Sequence, residues 1–188
     1  MPQIGLTLGP LFFHWPAERL RNFYNRIADE APVERVHVGE VVCGKRMPFS
    51  DPAWPEIIER LERGGKEVVL STLAAPATVR ERRAIGELCA DGCLVEINDI
   101  TALPARSGRP FVAGPFLNVY NEATAHFLMR HGAATICPPV ELSLQTVGTI
   151  AAACPETEFE VFAFGRLPLA LSGRCYHARL HGLHKDSC

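Results

Sequence analysis

The chain has 188 residues, 47% of them hydrophobic, with a formal net charge of −2 and a pI near 6.4. With no long charged or low-complexity run, this describes a soluble globular chain with a sizeable core and no global electrostatic pull toward nucleic acid or an anionic membrane. No apolar run approaches the roughly 20 residues that span a bilayer, and MPQIGLTLGPLFF lacks a basic leader with a cleavage site, so a cytoplasmic location is expected.

In chain order, short β-rich apolar runs alternate with amphipathic, charge-rich helical patterns. IGLTLG (4–9) predicts a strand, PAERLRNFYNRIADE (16–30) a helix, VERVHVG (33–39) a strand and DPAWPEIIERLERGG (51–65) a helix. The rhythm continues with the strand KEVVLSTL (66–73), the helix VRERRAIGELC (79–89), the strand CLVEIN (93–98) and a short helix in DITALPA (99–105). It closes with PFVAGPFLNVYN (110–121), EATAHFLMRHG (122–132), ATICPPVEL (134–142), SLQTVGTIAAAC (143–154) and EFEVFAFGRLPLAL (158–171), again strand and helix in turn. Pro16 and Pro52 stand where a first helical turn tolerates proline, and Gly64, Gly65 and Gly132 stand where a helix end wants a left-handed residue. The charges of EIIERLERGGK mark a solvated helix face.

About seven strands alternating with helices favour a parallel sheet, and their regular spacing favours an α/β fold of the TIM-like barrel kind. A complete barrel has eight units in about 250 residues, so this one is expected to be incomplete at its C-terminus. It would form a single domain over 1–188, with 172–188 as a cysteine- and histidine-rich loop. The alternative is an open doubly wound sheet, but no Gly-rich phosphate loop follows the first strand.

Chemistry in parallel α/β folds gathers at the carboxyl ends of the strands. There the sequence places Glu40, Cys43, Lys45 and Arg46, then Ser71 and Thr72, Asn98 and Asp99, and the segment from Cys175 to Cys188. The candidate substrate contacts are Arg46, Asn98, Asn118, Tyr120, Asn121, Glu141, Arg166 and His177, a set suited to a small polyfunctional molecule. His14 beside Trp15 reads more readily as a packed boundary residue than as a substrate contact, while the aromatic area of FFHWP reads equally well as a surface for a ring-bearing substrate or as a packed barrel end.

Seven cysteines, an odd number in a chain expected in a reducing compartment, argue against a disulfide framework. Cys89, Cys137 and Cys154 lie in the apolar stretches GELCA, ATICPP and AAACPE and read as small buried hydrophobes. Cys93 opens a strand and shares no face with Cys89. Cys43, Cys175 and Cys188 lie in Gly- or charge-rich loops beyond strands. Three thiolates suit zinc or an iron–sulfur cluster, with a fourth ligand needed in either case. His177 and His181, four residues apart, also permit a tetrahedral zinc with Cys175 and Cys188, and spacing does not choose between the two.

EVVCGKR, GPFLNVYN and FEVFAFGRLPLALSGRCYHARLHGLHKDSC together resemble the collagenase-like peptidase family, in the branch that serves oxygen-independent ubiquinone biosynthesis, over nearly the whole chain. The resemblance implies that Cys43, Cys175 and Cys188 are ligands of a [4Fe-4S] cluster. It places a fourth cysteine about one helical turn beyond Cys188, so this chain is expected to be apo or to carry a damaged cluster.

The implied function is ring hydroxylation of an aromatic ubiquinone precursor without molecular oxygen, in a heterodimer with a UbiU-like homologous subunit. Prephenate is the oxygen donor in related hydroxylations. Arg46 or Arg166 would clamp a carboxylate while Asn118, Tyr120 and Asn121 orient the ring. The alternatives are a non-catalytic iron–sulfur or zinc scaffold subunit and a collagenase-like peptidase, although neither GxSxG nor HExxH occurs.

Overall fold

The computed structural model describes residues 4–106, 108–166, 168, 170–172 and 175–184. The chain divides into two compact units, 1–75 together with 170–188, and 76–169.

In the first unit, β1 (Thr7–Leu8), α1 (Ala17–Glu30), β2 (Arg35–Val38), α2 (Met47–Ser50), α3 (Trp54–Arg63) and β3 (Glu67–Ser71) follow one another. The three strands pair in parallel. Leu20, Tyr24 and Ala28 recur every fourth residue along α1, and Ile57 and Leu61 do the same on α3, so each helix turns one apolar stripe inward. Both stripes pack on Val36 and Val38 of β2 in one core cluster. Fully burying side chains such as Ile57 or Leu61 contributes about 1.5–3 kcal/mol each. His37, between the two valines, projects to the opposite face of the strand, is buried there, and lies beside Val69 of β3 in register.

Gly65 ends α3 with φ +75°, the left-handed conformation expected. Gly64 does not share it, having φ −76°. It is glycine for want of space, because a Cβ there would lie 2.7 Å from the Ala28 carbonyl oxygen at the end of α1. Pro16 occupies the N-cap of α1, and Pro52 lies in the 3-10 turn Asp51–Ala53. That turn, α2 and the preceding turn Gly44–Arg46 left no clear periodicity in the sequence.

The second unit contains α4 (Val79–Ala90), β4 (Val95–Ile97), α5 (Leu103–Arg106), β5 (Phe111–Ala113), α6 (Glu122–Arg130), β6 (Ala133–Ile136), α7 (Leu144–Ala153) and β7 (Glu158–Phe159). Its four strands also pair in parallel. Side-chain caps open three helices: Thr78 with Glu81 in a reciprocal capping box, Asn121, and Ser143. Arg106, buried although charged, donates to the carbonyls of Cys89 and Asp91 at 3.2 and 3.1 Å, satisfying the end of α4. Gly132 closes α6 with φ +106°.

Strand order follows chain order from β1 to β7. Doubly wound sheets reverse order at a switch point, so the sequential order with helices between strands is that of an incomplete β/α barrel, seven strands among the described residues. Several strands are shorter than their sequence patterns. PFVAGPFLNVYN is extended only at Phe111–Ala113 and then turns at Pro115–Leu117, while EFEVFAFGRLPLAL is a strand only at Glu158–Phe159, residues 167 and 169 lying outside those described. The segment 172–188, expected as a loop, contains the helical turn α8 (Tyr176–Leu180). No described helix is long and apolar enough to cross a membrane.

Candidate functional site

In the first unit the candidate side chains follow β2. Gly39 has φ +122°, and a Cβ there would lie 2.8 Å from the Ser71 carbonyl oxygen, so only glycine allows the chain to leave the strand in this direction. Glu40 comes next and folds back over the loop. Its Oε1 accepts the backbone N–H of Val42 at 2.8 Å and of Cys43 at 3.0 Å. Val41 is buried, and its carbonyl accepts the N–H of Ala74 at 2.9 Å. Cys43, half-buried, then begins the 3-10 turn Gly44–Arg46.

Arg46, a candidate carboxylate clamp, is tied into the loop. Its Nη1 donates to the Phe12 carbonyl at 3.0 Å and lies 3.9 Å from Glu40 Oε1. Burial raises the Glu40 carboxyl above its usual range, opposed by the Cys43 and Val42 N–H groups and by the charges of Arg46 and His14. His14 packs edge-on against Phe49, with centroids 5.6 Å apart, which favours the packed-boundary reading of FFHWP.

Cys175 is exposed and caps α8, its sulfur accepting the Ala178 N–H at 3.4 Å. His177 and His181 lie on one face of this turn with ring centroids 4.5 Å apart. Cys188 lies outside the described residues.

The remaining sequence candidates belong to the second unit. Tyr120 and Glu141 are brought together, the phenol donating to Glu141 Oε1 at 3.1 Å, which raises the Tyr120 pKa. Asn121 is occupied as a helix cap, accepting the Thr124 N–H at 2.9 Å. Asn118 takes the left-handed conformation at φ +56° that ends the 3-10 turn before it. Arg166 is exposed. Asn98 is fully buried and donates to Glu96 Oε2 at 3.0 Å. It lies over Gly114, where a Cβ would come within 3.0 Å of both Asn98 and Glu96.

Sequence reasoning missed the polar face around Glu96. Register aligns Glu96, Val112, Thr135 and Glu158 across β4 to β7, and Thr135 donates to Glu158 Oε2 at 3.2 Å. One position further along, Cys137 follows β6. Its thiol fits the small structural hydrophobe expected of ATICPP: burial and the nearby Glu96 and Glu160 carboxylates push it up to about 12, which keeps it protonated. A lone glutamate in the apolar strand CLVEI was the available signal, because a carboxylate enters such a strand only where the fold provides partners.

A profile of Peptidase family U32 matches residues 15–188. The chain belongs to Peptidase family U32. The collagenase-like resemblance therefore stands at the level of the family, and the match runs through the Cys43 loop and the Cys175 turn of this U32 chain. No solved structure matches the chain.

Whether a U32 chain of this sequence can hold an iron–sulfur cluster depends on its thiols. The donor chemistry fits, since Cys43, half-buried, and Cys175, exposed, are both free thiols outside the buried core. Among the described residues no group of three or more His, Cys, Asp or Glu side chains is gathered as a metal site, and Cys188 lies outside them.

Proposed function

We propose that the chain is a UbiV-like iron–sulfur subunit which, with a UbiU-like homologous partner, takes part in oxygen-independent hydroxylation of an aromatic ubiquinone precursor. The supporting observation is the Cys43 loop, where a U32-family chain presents a partly exposed thiol beyond a parallel strand, its amide held by Glu40. Cys43, Cys175 and Cys188 would hold a [4Fe-4S] group, which supplies one-electron transfer when bound. The chain's own residues have simpler tasks. Arg46 and Glu40 fix the loop, while the Tyr120–Glu141 pair offers a hydroxyl and a carboxylate oriented by one hydrogen bond for a ring-bearing substrate. Prephenate is the proposed oxygen donor.

A zinc scaffold is the second reading, and the contact of His177 with His181 beside Cys175 favours it. Peptidase activity draws only on the family description.

The experiment is an anaerobic iron and acid-labile sulfide assay with the visible spectrum, on this chain and on one extended at its C-terminus to supply a fourth cysteine. About four iron and four sulfide with a brown chromophore in the extended protein support the cluster. Colourless protein carrying zinc in both refutes it.

A further inference from the structure

We infer that Glu40 is a positioning residue for Cys43, its carboxylate holding the loop after β2 in the conformation that presents the Cys43 sulfur. The inference rests on the cluster reading of Cys43 given above.

The loop has a specific problem to solve. Once the chain leaves β2, the N–H groups of Val42 and Cys43 have no strand beside them to accept their hydrogen bonds, and an unmade bond in a half-buried loop is costly. Glu40 supplies both acceptors with a single oxygen, reaching two and three residues along its own chain at 2.8 and 3.0 Å. Its side chain is only 9% exposed, and the bond to Cys43 is the more shielded from water of the two, a setting in which a carboxylate–amide bond is stronger, while Val42 itself is exposed.

Two further contacts fix the carboxylate itself. Gly39 sets the direction in which Glu40 departs, and Arg46 approaches the same Oε1 while anchored to Phe12. Since Arg46 belongs to the turn that Cys43 opens, the segment from Glu40 to Arg46 is closed on itself around the cysteine. The Cys43 amide is thereby committed to Glu40. The sulfur takes no part in that bond, and Cys43 as a residue is half-buried.

The test compares Glu40→Ala with Glu40→Gln in the full chain. Amide hydrogen exchange at Val42 and Cys43 is read in the metal-free protein, and iron retention against a chelator is read after anaerobic reconstitution. Losing an accepting carboxylate should speed exchange of both amides about tenfold in Glu40→Ala. Glu40→Gln keeps an oxygen in place and should stay near the wild type. Iron retention should follow the same order, with Glu40→Ala losing iron faster than the other two proteins.

Unchanged exchange in Glu40→Ala overturns the inference, as does Glu40→Gln behaving like Glu40→Ala. So does retention of iron by Glu40→Ala at the wild-type rate once the wild type has been shown to load. A wild type that takes up no iron overturns the cluster reading instead, whatever the amides do, so the two failures are told apart.

Discussion

Cys43 and Cys137 each follow a parallel strand and each has carboxylates for neighbours, yet the carboxylates act on opposite ends of the residue. At Cys43, Glu40 takes the backbone N–H and leaves the sulfur at a partly exposed position. At Cys137 the backbone N–H is spent on the Ala113 carbonyl at 2.8 Å, and Glu96 and Glu160 bear on the sulfur instead. A thiol must give up its proton to bind a metal or attack an electrophile. Burial and the negative charge around Cys137 oppose that step, whereas a carboxylate tied to the amide of Cys43 orders the loop without acting on its sulfur. What a nearby glutamate does to a cysteine is set by which atom it reaches.

The largest effect expected of this difference lies at Cys137. With its thiol near 12 in the fold against an ordinary value of 9.0, its thiolate fraction at pH 8 should be about a thousandfold lower than in the unfolded chain. Alkylation followed residue by residue should show Cys137 protected in native protein and reactive in urea, and equal rates would erase the contrast with Cys43. The linkage has a definite sign. The fold binds this proton more tightly than the unfolded chain, so the stabilisation is full below pH 9.0 and is lost as pH rises toward 12. Urea midpoints should fall over that window in the wild type and fall less in Cys137→Ala.

Next in size is a core truncation that separates scaffold from rim. Leu61→Ala, which empties space between α1 and α3, should cost about 2–5 kcal/mol in urea unfolding. Cys43→Ala in the metal-free protein should cost well under that, being half-buried in a loop. Gly39→Ala should fall between them at about 1–3 kcal/mol, because it meets both a left-handed backbone and the Ser71 carbonyl, and it should also disturb the Cys43 loop. The smallest expected effect is Asn121→Ala, about 1 kcal/mol for the lost cap of α6, with the Tyr120–Glu141 pair intact. A larger loss in substrate binding than in stability would support Asn121 as a substrate contact beyond its cap.

Much of the scaffold was legible because its signals are local. The four-residue spacing of Leu20, Tyr24 and Ala28 and the strand–helix alternation specify α1 and the barrel order without knowledge of what packs where. The exceptions include close approaches and local caps. Gly64 ends α3 as expected but without the left-handed conformation, being held to glycine by Ala28 on another helix, and Asn121, a candidate substrate contact, also caps α6 at Thr124. The site around Glu96 was the least legible. ATICPP is apolar along the chain, and only strand register brings Glu96 and Glu160 to Cys137. Cys43 was legible as a candidate from its charged surroundings, whereas the bond from its amide to Glu40 depends on backbone geometry set by Gly39.

The most direct test of the contrast between the two cysteines is iron and acid-labile sulfide content, with the visible spectrum, after anaerobic reconstitution of the C-terminally extended chain and its Cys43→Ala and Cys137→Ala variants. If Cys43 is the metal-facing thiol, Cys43→Ala loses the iron and the brown chromophore while Cys137→Ala keeps both. Iron retained by Cys43→Ala, or lost only from Cys137→Ala, would contradict the assignment.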